Sequence, residues 1–281
     1  MKRALESKGF SVVSLDPSSR KDLARLLEED FDVAFLCMHG KFGEDGTIQG
    51  FLELLDIPYT GSGVWSSSSA IDKVKTKRIY ESARIKTPFY VAVKKGDSID
   101  VASIAKMVGS KVVVKASSEG STLGLYIAET ESDIEEAIEK AFRYDESLLI
   151  EEYISGREFT VAVLGNENAE ALPAIEIVPK NAFYDFDAKY SPGGSLHICP
   201  ASIEDGLASR LRCMAELAHR ALDCKGASRT DFLIDDDGEC WALETNTLPG
   251  MTDTSLLPDA ARAIGMTYED LCTKLLSLAF E

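Results

Sequence analysis

A stretch near the carboxyl end, residues 229–256, carries side chains whose types and spacing suit metal and phosphate chemistry: RTDFLIDDDGECWALETNTLPGMTDTSL. Two runs with alternating apolar side chains flank an acidic turn at residues 235–238, which predicts a β-hairpin. Pairing the strands about that turn sets Asp231 opposite Ala242 and Arg229 opposite Glu244. Because strand side chains alternate between faces, the polar residues of both strands would then share one face.

This shared face would present ligands for a divalent cation beside an arginine. Its members are Arg229, Asp231, Glu244 and Asn246, while Phe232, Ile234, Trp241 and Leu243 would pack on the core from the other face. Carboxylate and amide oxygens are hard ligands that suit Mg²⁺, and an arginine suits the charge of a phosphoryl group in transfer. The alternative is the solvent-facing side of an amphipathic hairpin. An Asn two residues after a Glu, followed closely by Pro249-Gly250, favours the metal site.

Further segments could hold a nucleotide beside this metal. Lys115 ends the apolar run KVVVK and can bind a phosphate as a point charge. The Ser- and Gly-rich residues 117–124 that follow could close over that phosphate as a hairpin lid, through backbone N–H groups. Residues 151–154 could contact adenine and Glu158 could contact ribose hydroxyls. None of these segments is a Walker A sequence or a protein-kinase signature.

Hydrophobic periodicity and turn residues predict an α/β first half and antiparallel strands from residue 159 onward. Helices are predicted at 1–7, 21–29, 48–55, 66–83, 99–107, 131–142 and 204–222, and as a pair over 256–279. Strands are predicted at 10–15, 32–38 (parallel), 88–93, 111–115, 125–128, 148–153, 159–165 and 171–178. His39 would lie at the carboxyl end of the 32–38 strand, where open α/β sheets bind ligands. Residues 179–199 form a long loop, which is typical of a functional lid or a disordered segment.

Composition indicates a soluble protein with a sizeable core. The chain has 281 residues, 45% of them hydrophobic, and a formal net charge of −17. That charge argues against a general partner among nucleic acids or membrane surfaces, although a local cluster of cations can still bind a nucleotide. The 6 cysteines form no C-x-x-C pair or zinc spacing, and no signal peptide or membrane-spanning run is present. Buried, reduced thiols and a cytoplasmic location are expected.

Six stretches together resemble one family. They are HGKFGEDGTIQGFLELLDIPYTGSG (39–63), DKVKTK (72–77), VVVKASSEGSTLG (112–124), EEYISGREFTVAVLG (151–165), FYDFDAKY (183–190) and GASRTDFLIDDDGECWALETNTLPGMTDTSLLP (226–258). The chain is similar to the D-alanine–D-alanine ligases of the ATP-grasp superfamily. The last stretch and the His-Gly to Gly-Glu-Asp-Gly run are the most specific, since other ATP-grasp enzymes share only the metal-ligand pattern.

The resemblance implies an α/β fold (α+β in part) of the ATP-grasp class. It divides the chain into an N-terminal Rossmann-like domain (1–72), a central subdomain with the phosphate-covering loop (73–158) and a C-terminal subdomain with the metal site (159–281). It implies that ATP phosphorylates the carboxylate of a first D-alanine and that the amine of a second attacks the acyl phosphate, for peptidoglycan precursor synthesis. Two Mg²⁺ ions, with Mn²⁺ as a substitute, and a homodimer through the first domain are implied as well.

The resemblance also assigns roles to single residues. Lys73, Lys115 and Lys189 would bind ATP phosphates, Glu151 and Ile154 adenine, and Glu158 ribose. Asp231, Glu244 and Asn246 would hold the metal, Arg229 would stabilise the tetrahedral intermediate, and the backbone at Gly250 would donate to its oxyanion. Ser255 and Leu256 would bind the carboxylate of the second substrate, His39 would lie near both substrates, and Ser121 and Tyr190 would link two lids across the first.

Two departures from the family pattern bear on these expectations. The family opens with a strand, a glycine-rich turn and a glutamate that orients the first substrate, whereas this chain starts at the following helix. We therefore expect an incomplete first domain, from a start assigned too late or a clipped chain, with a naturally short chain as the alternative. Ala116 also stands where proline is common. A ligase that takes D-lactate or D-serine second, or a catalytically impaired nucleotide-binding relative, stays open, although Tyr190 favours D-alanine.

Overall fold

The structure is a computed structural model and describes residues 1–120, 123–179 and 195–281. The described helices are α1 (Lys2–Ser7), α2 (Arg20–Glu28), α3 (Thr47–Leu54), α4 (Val64–Ala70), α5 (Lys73–Ser82), α6 (Val101–Val108), α7 (Glu131–Ala141), α8 (Asp205–Ala221), α9 (Leu256–Ala263) and α10 (Tyr268–Leu278). The strands are β1 (Tyr90–Lys94), β2 (Val112–Ala116), β3 (Leu125–Ala128), β4 (Ser147–Glu152), β5 (Gly156–Leu164), β6 (Glu170–Ala171), β7 (Ile175–Pro179), β8 (Ser195–Ile198), β9 (Ala227–Asp235) and β10 (Cys240–Asn246).

A four-stranded antiparallel sheet with the order β1-β4-β2-β3 forms the middle of the chain. Alternate residues of β2 and β4, such as Val114 and Ile150, point into a core that α6 and α7 cover. Because side chains alternate along a strand, Lys115 and Glu151 lie on the opposite face. The apolar alternation that buries one face therefore also places a lysine and a glutamate together on the other.

A six-stranded antiparallel sheet follows, with the order β10-β9-β5-β7-β8 and β6 paired to β5. One face packs on α8 through residues such as Phe159 and Phe232. The other face is apolar at one end, where Leu164 and Ala227 pack under α1, α9 and α10. Toward the other end of this face the side chains are polar, beginning with the paired residues Thr160 and Asp231. The metal-binding residues predicted from the sequence lie in this polar part of the sheet.

Two predicted strands near the start, 10–15 and 32–38, are wrong. Among the described residues, the β-type pairing in this part of the chain is a single parallel bridge between Ala34 and Tyr59. Ala34 donates to the carbonyl of Pro58 at 2.8 Å and accepts from Thr60 N–H at 3.0 Å. An apolar run becomes a strand only when a neighbouring strand pairs with it, and no described strand lies beside residues 10–15. The parallel direction predicted for 32–38 holds at this bridge.

The helix predicted at 66–83 is two helices, α4 and α5, and Asp72 is the reason for the break. Its backbone is extended, and its carboxylate accepts from the N–H groups of Val74 and Lys75 as the N-cap of α5. The two closing helices, α9 and α10, are confirmed. Among the residues that the structure describes, no helix has the length and apolar character needed to cross a membrane.

Candidate active site

The β9–β10 hairpin forms with a register that differs from the predicted one. Phe232 pairs with Ala242, and Asp231 pairs with Glu244, because a bulge between Ala242 and Glu244 shifts the register. The predicted pairs, Asp231 with Ala242 and Arg229 with Glu244, are therefore wrong. The shared polar face is confirmed all the same, since Asp231 faces Glu244 and Arg229 faces Asn246.

The bulge also changes which residues reach the core. Cys240 and Ala242 join Phe232 and Ile234 in the buried cluster under α8. Trp241 and Leu243, which were predicted to fill that core, are only partly buried. The Trp241 indole N–H donates to Asp235 at 2.8 Å, and Lys86 Nζ lies 4.0 Å from the centre of a Trp241 ring. Trp241 thus packs at the hairpin turn.

Asp231 is held from two sides. Arg229 donates through Nε at 3.1 Å and through a terminal nitrogen at 3.2 Å, one bond to each carboxylate oxygen. Thr160, directly opposite on β5, donates its hydroxyl to Asp231 Oδ1 at 2.5 Å. Asp231 is almost fully buried, so these charged and polar partners offset the cost of removing a carboxylate from water. Thr160 was not singled out from the sequence.

Glu244 connects the hairpin to helix α5. Lys73 Nζ lies 3.3 Å from Glu244 Oε2 and donates to the carbonyl of Glu119 at 2.6 Å. Lys73 is the first residue of α5, and Glu119 belongs to the loop predicted to cover phosphates. One lysine therefore joins the polar face of the hairpin to that loop, and its phosphate-binding role stays a prediction.

The base of the same loop is anchored at Asp72. The Ser117 hydroxyl donates to Asp72 Oδ1 at 2.7 Å, the oxygen that also caps α5, and Lys73 N–H donates to the Ser117 carbonyl at 2.8 Å. Ser118 N–H donates to Asp145 at 2.7 Å. The strands β2 and β3 on either side pair antiparallel, so the predicted hairpin is confirmed.

A second charged group lies on the face of the four-stranded sheet opposite α6 and α7, where α5 packs. The Glu151 carboxylate contacts Lys115 Nζ through one oxygen and lies 2.5 Å from Lys77 Nζ through the other. Burial alone would raise the pKa of Glu151, but the two ammonium groups outweigh burial and hold this pKa below its ordinary range. Lys77 was missed as a site residue. Its signal is the spacing in DKVKTK, which puts Lys77 one helical turn after Lys73.

His39, Gly250 and Ser255 converge near Arg229. A Cβ added at Gly250 would lie 2.8 Å from Ser255 Oγ and 3.9 Å from His39 Cε1, so the loop backbone fits between them. His39 Nδ1 lies 3.8 Å from Glu44. The pKa of His39 is raised by the Glu44 carboxylate, while burial and the positive charge of Arg229 act in the opposite direction. The predicted grouping of these residues thus has a spatial basis.

The remaining predicted positions lie on β5, in the connection between β4 and β5 and at the start of α9, or outside the described residues. Glu158 shares a face of β5 with Thr160 and so points toward the polar face of the hairpin. Ile154 lies in the connection between β4 and β5, and Leu256 is the first residue of α9. Ser121, Lys189 and Tyr190 fall outside the residues that the structure describes.

The chemistry of the polar face fits a hard divalent cation. Asp231 and Glu244 offer carboxylate oxygens, and the amide oxygen of Asn246, which also accepts from Leu248 N–H at 2.8 Å, offers a neutral one. Within residues 1–120, 123–179 and 195–281, no cluster of three or more His, Cys, Asp or Glu side chains is placed to hold a metal. The predicted set has two members of those types, and its third ligand is the amide.

Comparison with known proteins extends over nearly the whole chain. The profile of the D-ala D-ala ligase N-terminus matches residues 10–62, and that of the D-ala D-ala ligase C-terminus matches residues 79–277. The D-alanine–D-alanine ligase of Geotalea uraniireducens (strain Rf4) is 46% identical over 278 residues, covering 99% of this chain and 87% of that protein. That of Carboxydothermus hydrogenoformans is 46% identical over 284 residues, covering 99% and 91%.

A solved structure agrees with the sequence matches. The D-alanine–D-alanine ligase from Coxiella burnetii has a TM-score of 0.78 and 30% identity, covering 89% of this chain and 69% of that chain. The chain belongs to the D-alanine–D-alanine ligase family. Membership confirms the family resemblance, the ATP-grasp fold class and the ligase class of enzyme, and it implies the use of ATP and a divalent metal.

Proposed function

We propose that this D-alanine–D-alanine ligase family member joins two D-alanine molecules to D-alanyl-D-alanine, a peptidoglycan precursor, at the expense of ATP. The observation that carries the proposal is the polar face of the hairpin. It places Arg229, Asp231 and Glu244 together, and Lys73 connects this face to the loop at 117–124. Phosphoryl transfer depends mainly on positioning and charge stabilisation, and this arrangement provides both.

The reaction proceeds in two steps. A carboxylate oxygen of the first D-alanine bonds to the γ-phosphorus of ATP while the bond to the bridging oxygen breaks, which releases ADP. The neutral amine of the second D-alanine then bonds to the acyl carbon, the C–O bond to phosphate breaks, and the proton that the nitrogen loses is taken up by the departing phosphate. The first step replaces a poor leaving group, oxide, by phosphate.

Separate groups of residues bind the nucleotide, the metal ions and the two substrates. Lys73, Lys115 and Lys189 bind phosphates, Glu151 and Ile154 contribute to the adenine site, Glu158 binds ribose, and Asp231, Glu244 and Asn246 hold two Mg²⁺ or Mn²⁺ ions. When bound, these ions supply positive charge that neutralises the phosphate oxygens. The partial exposure of Ile154, and the position of Glu158 on the face of β5 that also carries Thr160, support the nucleotide assignments.

The substrate side is formed by the hairpin and the loop that follows it. Arg229 stabilises the charge of the tetrahedral intermediate, and the Gly250 backbone donates to its oxyanion. Ser255 and Leu256 bind the second carboxylate, His39 lies against both substrates, and Ser121 and Tyr190 close over the first. The convergence of His39, Gly250 and Ser255 supports this assignment.

We also propose the division into residues 1–72, 73–158 and 159–281, action in the cytoplasm and a homodimer through the first part. The four-stranded sheet lies inside the second range, and the six-stranded sheet begins at Gly156, near the second boundary. The cysteines in the described residues are free thiols, as in a reducing compartment. Leu54 and Trp65, both exposed, supply an apolar surface for a dimer. Sedimentation as a monomer at micromolar concentration would exclude it.

The test of function is a coupled assay for ADP and phosphate with mass spectrometry of the product. We expect release that requires Mg²⁺ and D-alanine and equals the dipeptide formed, with much lower rates when D-lactate or D-serine is offered as the second substrate. Glu244→Gln should lower kcat by roughly 100-fold or more, since it removes a metal ligand. Asp236→Asn, at the exposed turn of the same hairpin, should leave kcat unchanged. Absence of phosphate release that depends on D-alanine would refute the proposal.

A further inference from the structure

Lys77 is a fully buried lysine that the mechanism above does not use. Its Nζ lies 2.5 Å from Glu151 Oε2, donates to the Pro88 carbonyl at 3.1 Å and sits 5.6 Å from the centre of the Tyr90 ring. Its side chain has 0% exposure and that of Glu151 has 2%. Removing charges from water is costly, and an apolar pair of similar size would hold α5 against the sheet at least as well. A reason beyond packing is therefore needed.

The charge balance of the cluster supplies that reason. Lys77, Glu151 and Lys115 form one connected group of two cations and one anion, with a net charge of +1. An ion pair that served packing alone would be neutral. Lys115 is the member that reaches solvent, with 13% exposure, and it lies one residue before the end of β2, next to the loop at 117–124. The surplus positive charge is therefore presented at the base of that loop.

We propose that Lys77 is a positioning residue for nucleotide binding: it neutralises Glu151 from the interior, so that the charge of Lys115 stays available to the phosphates of ATP. This inference rests on the proposed function only in taking ATP as the ligand. Without Lys77, the Glu151 carboxylate would pair with the Lys115 ammonium group alone. The remaining pair would be neutral and would no longer attract phosphate. Lys77 reaches the nucleotide through Glu151 and Lys115 and touches no substrate.

The surroundings of Lys77 give the cluster a pH dependence. Burial lowers the pKa of Lys77 to about 8, while Glu151 and, more weakly, Glu152 raise it and Lys115 lowers it. Above this pH the cluster loses its surplus proton and falls from +1 to neutral. ATP affinity should therefore decrease as the pH rises from 7 to 9, whereas adenosine affinity, which involves no phosphate, should stay constant.

Calorimetric titration of four proteins with MgATP and with adenosine tests the proposal: the wild type, Lys77→Met, the double variant Lys77→Met/Glu151→Gln, and Lys106→Met as an exposed lysine control. We expect Lys77→Met to weaken MgATP binding by about tenfold at pH 7 and adenosine binding by less than about twofold, for the loss of one nearby charge. The double variant restores a net charge of +1, so the ratio of its MgATP affinity to its adenosine affinity should return to within about threefold of the wild-type ratio. The ratio cancels any loss that Glu151→Gln causes at the adenine site. Lys106→Met should change neither affinity.

Several outcomes would overturn the inference. Equal weakening of MgATP and adenosine binding by Lys77→Met would give Lys77 a packing role alone. So would a double variant whose MgATP-to-adenosine affinity ratio is no higher than that of Lys77→Met. If Lys77→Met fails to fold by circular dichroism, the wild-type pH series remains decisive, since it needs no substitution. An ATP affinity in the wild type that is constant between pH 7 and 9 would also refute it. Failure of the proposed function is separate, since it would show as intact MgATP binding without dipeptide formation.

Discussion

Three acidic side chains of the candidate site each have a cation beside them. Asp231 bonds to Arg229, Glu244 lies near Lys73, and Glu151 contacts both Lys77 and Lys115. Burial of a carboxylate is tolerated when such partners replace the lost hydration. At the residue scale, the site is therefore a set of compensated charges, and a substitution that neutralises one partner acts on the other.

His219 is a buried titratable side chain that stays neutral at pH 7 instead of pairing with an opposite charge. It is 1% exposed on α8, and its Nδ1 lies 2.8 Å from Ser228 Oγ. Burial lowers its pKa from 6.5 to about 4. The unfolded chain therefore binds a proton near pH 6.5 that the folded protein does not bind until about pH 4. The stability contributed by His219 is complete above pH 6.5 and is lost as the pH falls toward 4.

A His219→Gln variant makes this contribution measurable. We expect the free-energy difference between wild type and variant, from urea unfolding, to shrink by about 2 kcal/mol between pH 7.5 and pH 5, because Gln does not titrate. A difference between wild type and His219→Gln that is the same at both pH values would contradict the expectation.

At the scale of elements, the hairpin shows how far the sequence carries a prediction. Alternation and the acidic turn predict both strands and the residues that share a face. They do not predict the bulge between Ala242 and Glu244, because a bulge inserts one residue without changing the composition of the run. The predicted polar residues still share a face because the bulge falls before Glu244. The predicted apolar set is wrong, because Trp241 lies outside the core.

The strand predictions for the first part of the chain are wrong for a different reason. The runs at 10–15 and 32–38 have strand composition, yet strand formation depends on partners far away in sequence, which local periodicity does not describe. Lys77 and Thr160 were missed because each acts through a neighbour, Glu151 or Asp231, that only the folded chain brings close. Residues that touch a ligand leave a motif in the sequence, and residues that support them mostly do not.

Close approach of β5 and β9 gives a test at this scale. A Cβ added at Gly156 would overlap with the carbonyl oxygen of Ile234. We expect Gly156→Ala to lower the free energy of unfolding by about 1–3 kcal/mol, the usual cost of overpacking. Gly206→Ala, in the first turn of α8 with open space around the added carbon, should be neutral or stabilising by up to about 1 kcal/mol. Equal effects of the two substitutions in urea unfolding would rule out the steric explanation.

On the scale of the whole molecule, residues from both ends of the described chain meet in one core. Leu5 of α1 is 4% exposed and belongs to the cluster formed by Leu271 and Leu275 of α10. Lys8 adds an exposed ion pair to Asp270 at 2.7 Å. The apolar contact carries most of the stabilisation, since exposed ion pairs contribute little.

Truncation of Leu5 should therefore weaken the whole fold. We expect Leu5→Ala to cost about 2–4 kcal/mol in chemical unfolding, through lost burial and the cavity that remains. Leu27→Ala, at an exposed position of α2, should change stability by less than about 0.5 kcal/mol. A cost for Leu5→Ala as small as that for Leu27→Ala would show that α1 contributes nothing to the core.

Asp72 serves two structures with one oxygen. Its Oδ1 accepts from the backbone of α5 at Val74 and Lys75 and from the hydroxyl of Ser117 at the base of the loop. The residues tolerated at this position are therefore those that satisfy a helix start and a loop anchor together, a smaller set than either alone allows. We therefore expect a substitution at position 72 to disturb both the helix start and the loop anchor, so that a second change within the helix alone does not compensate for it.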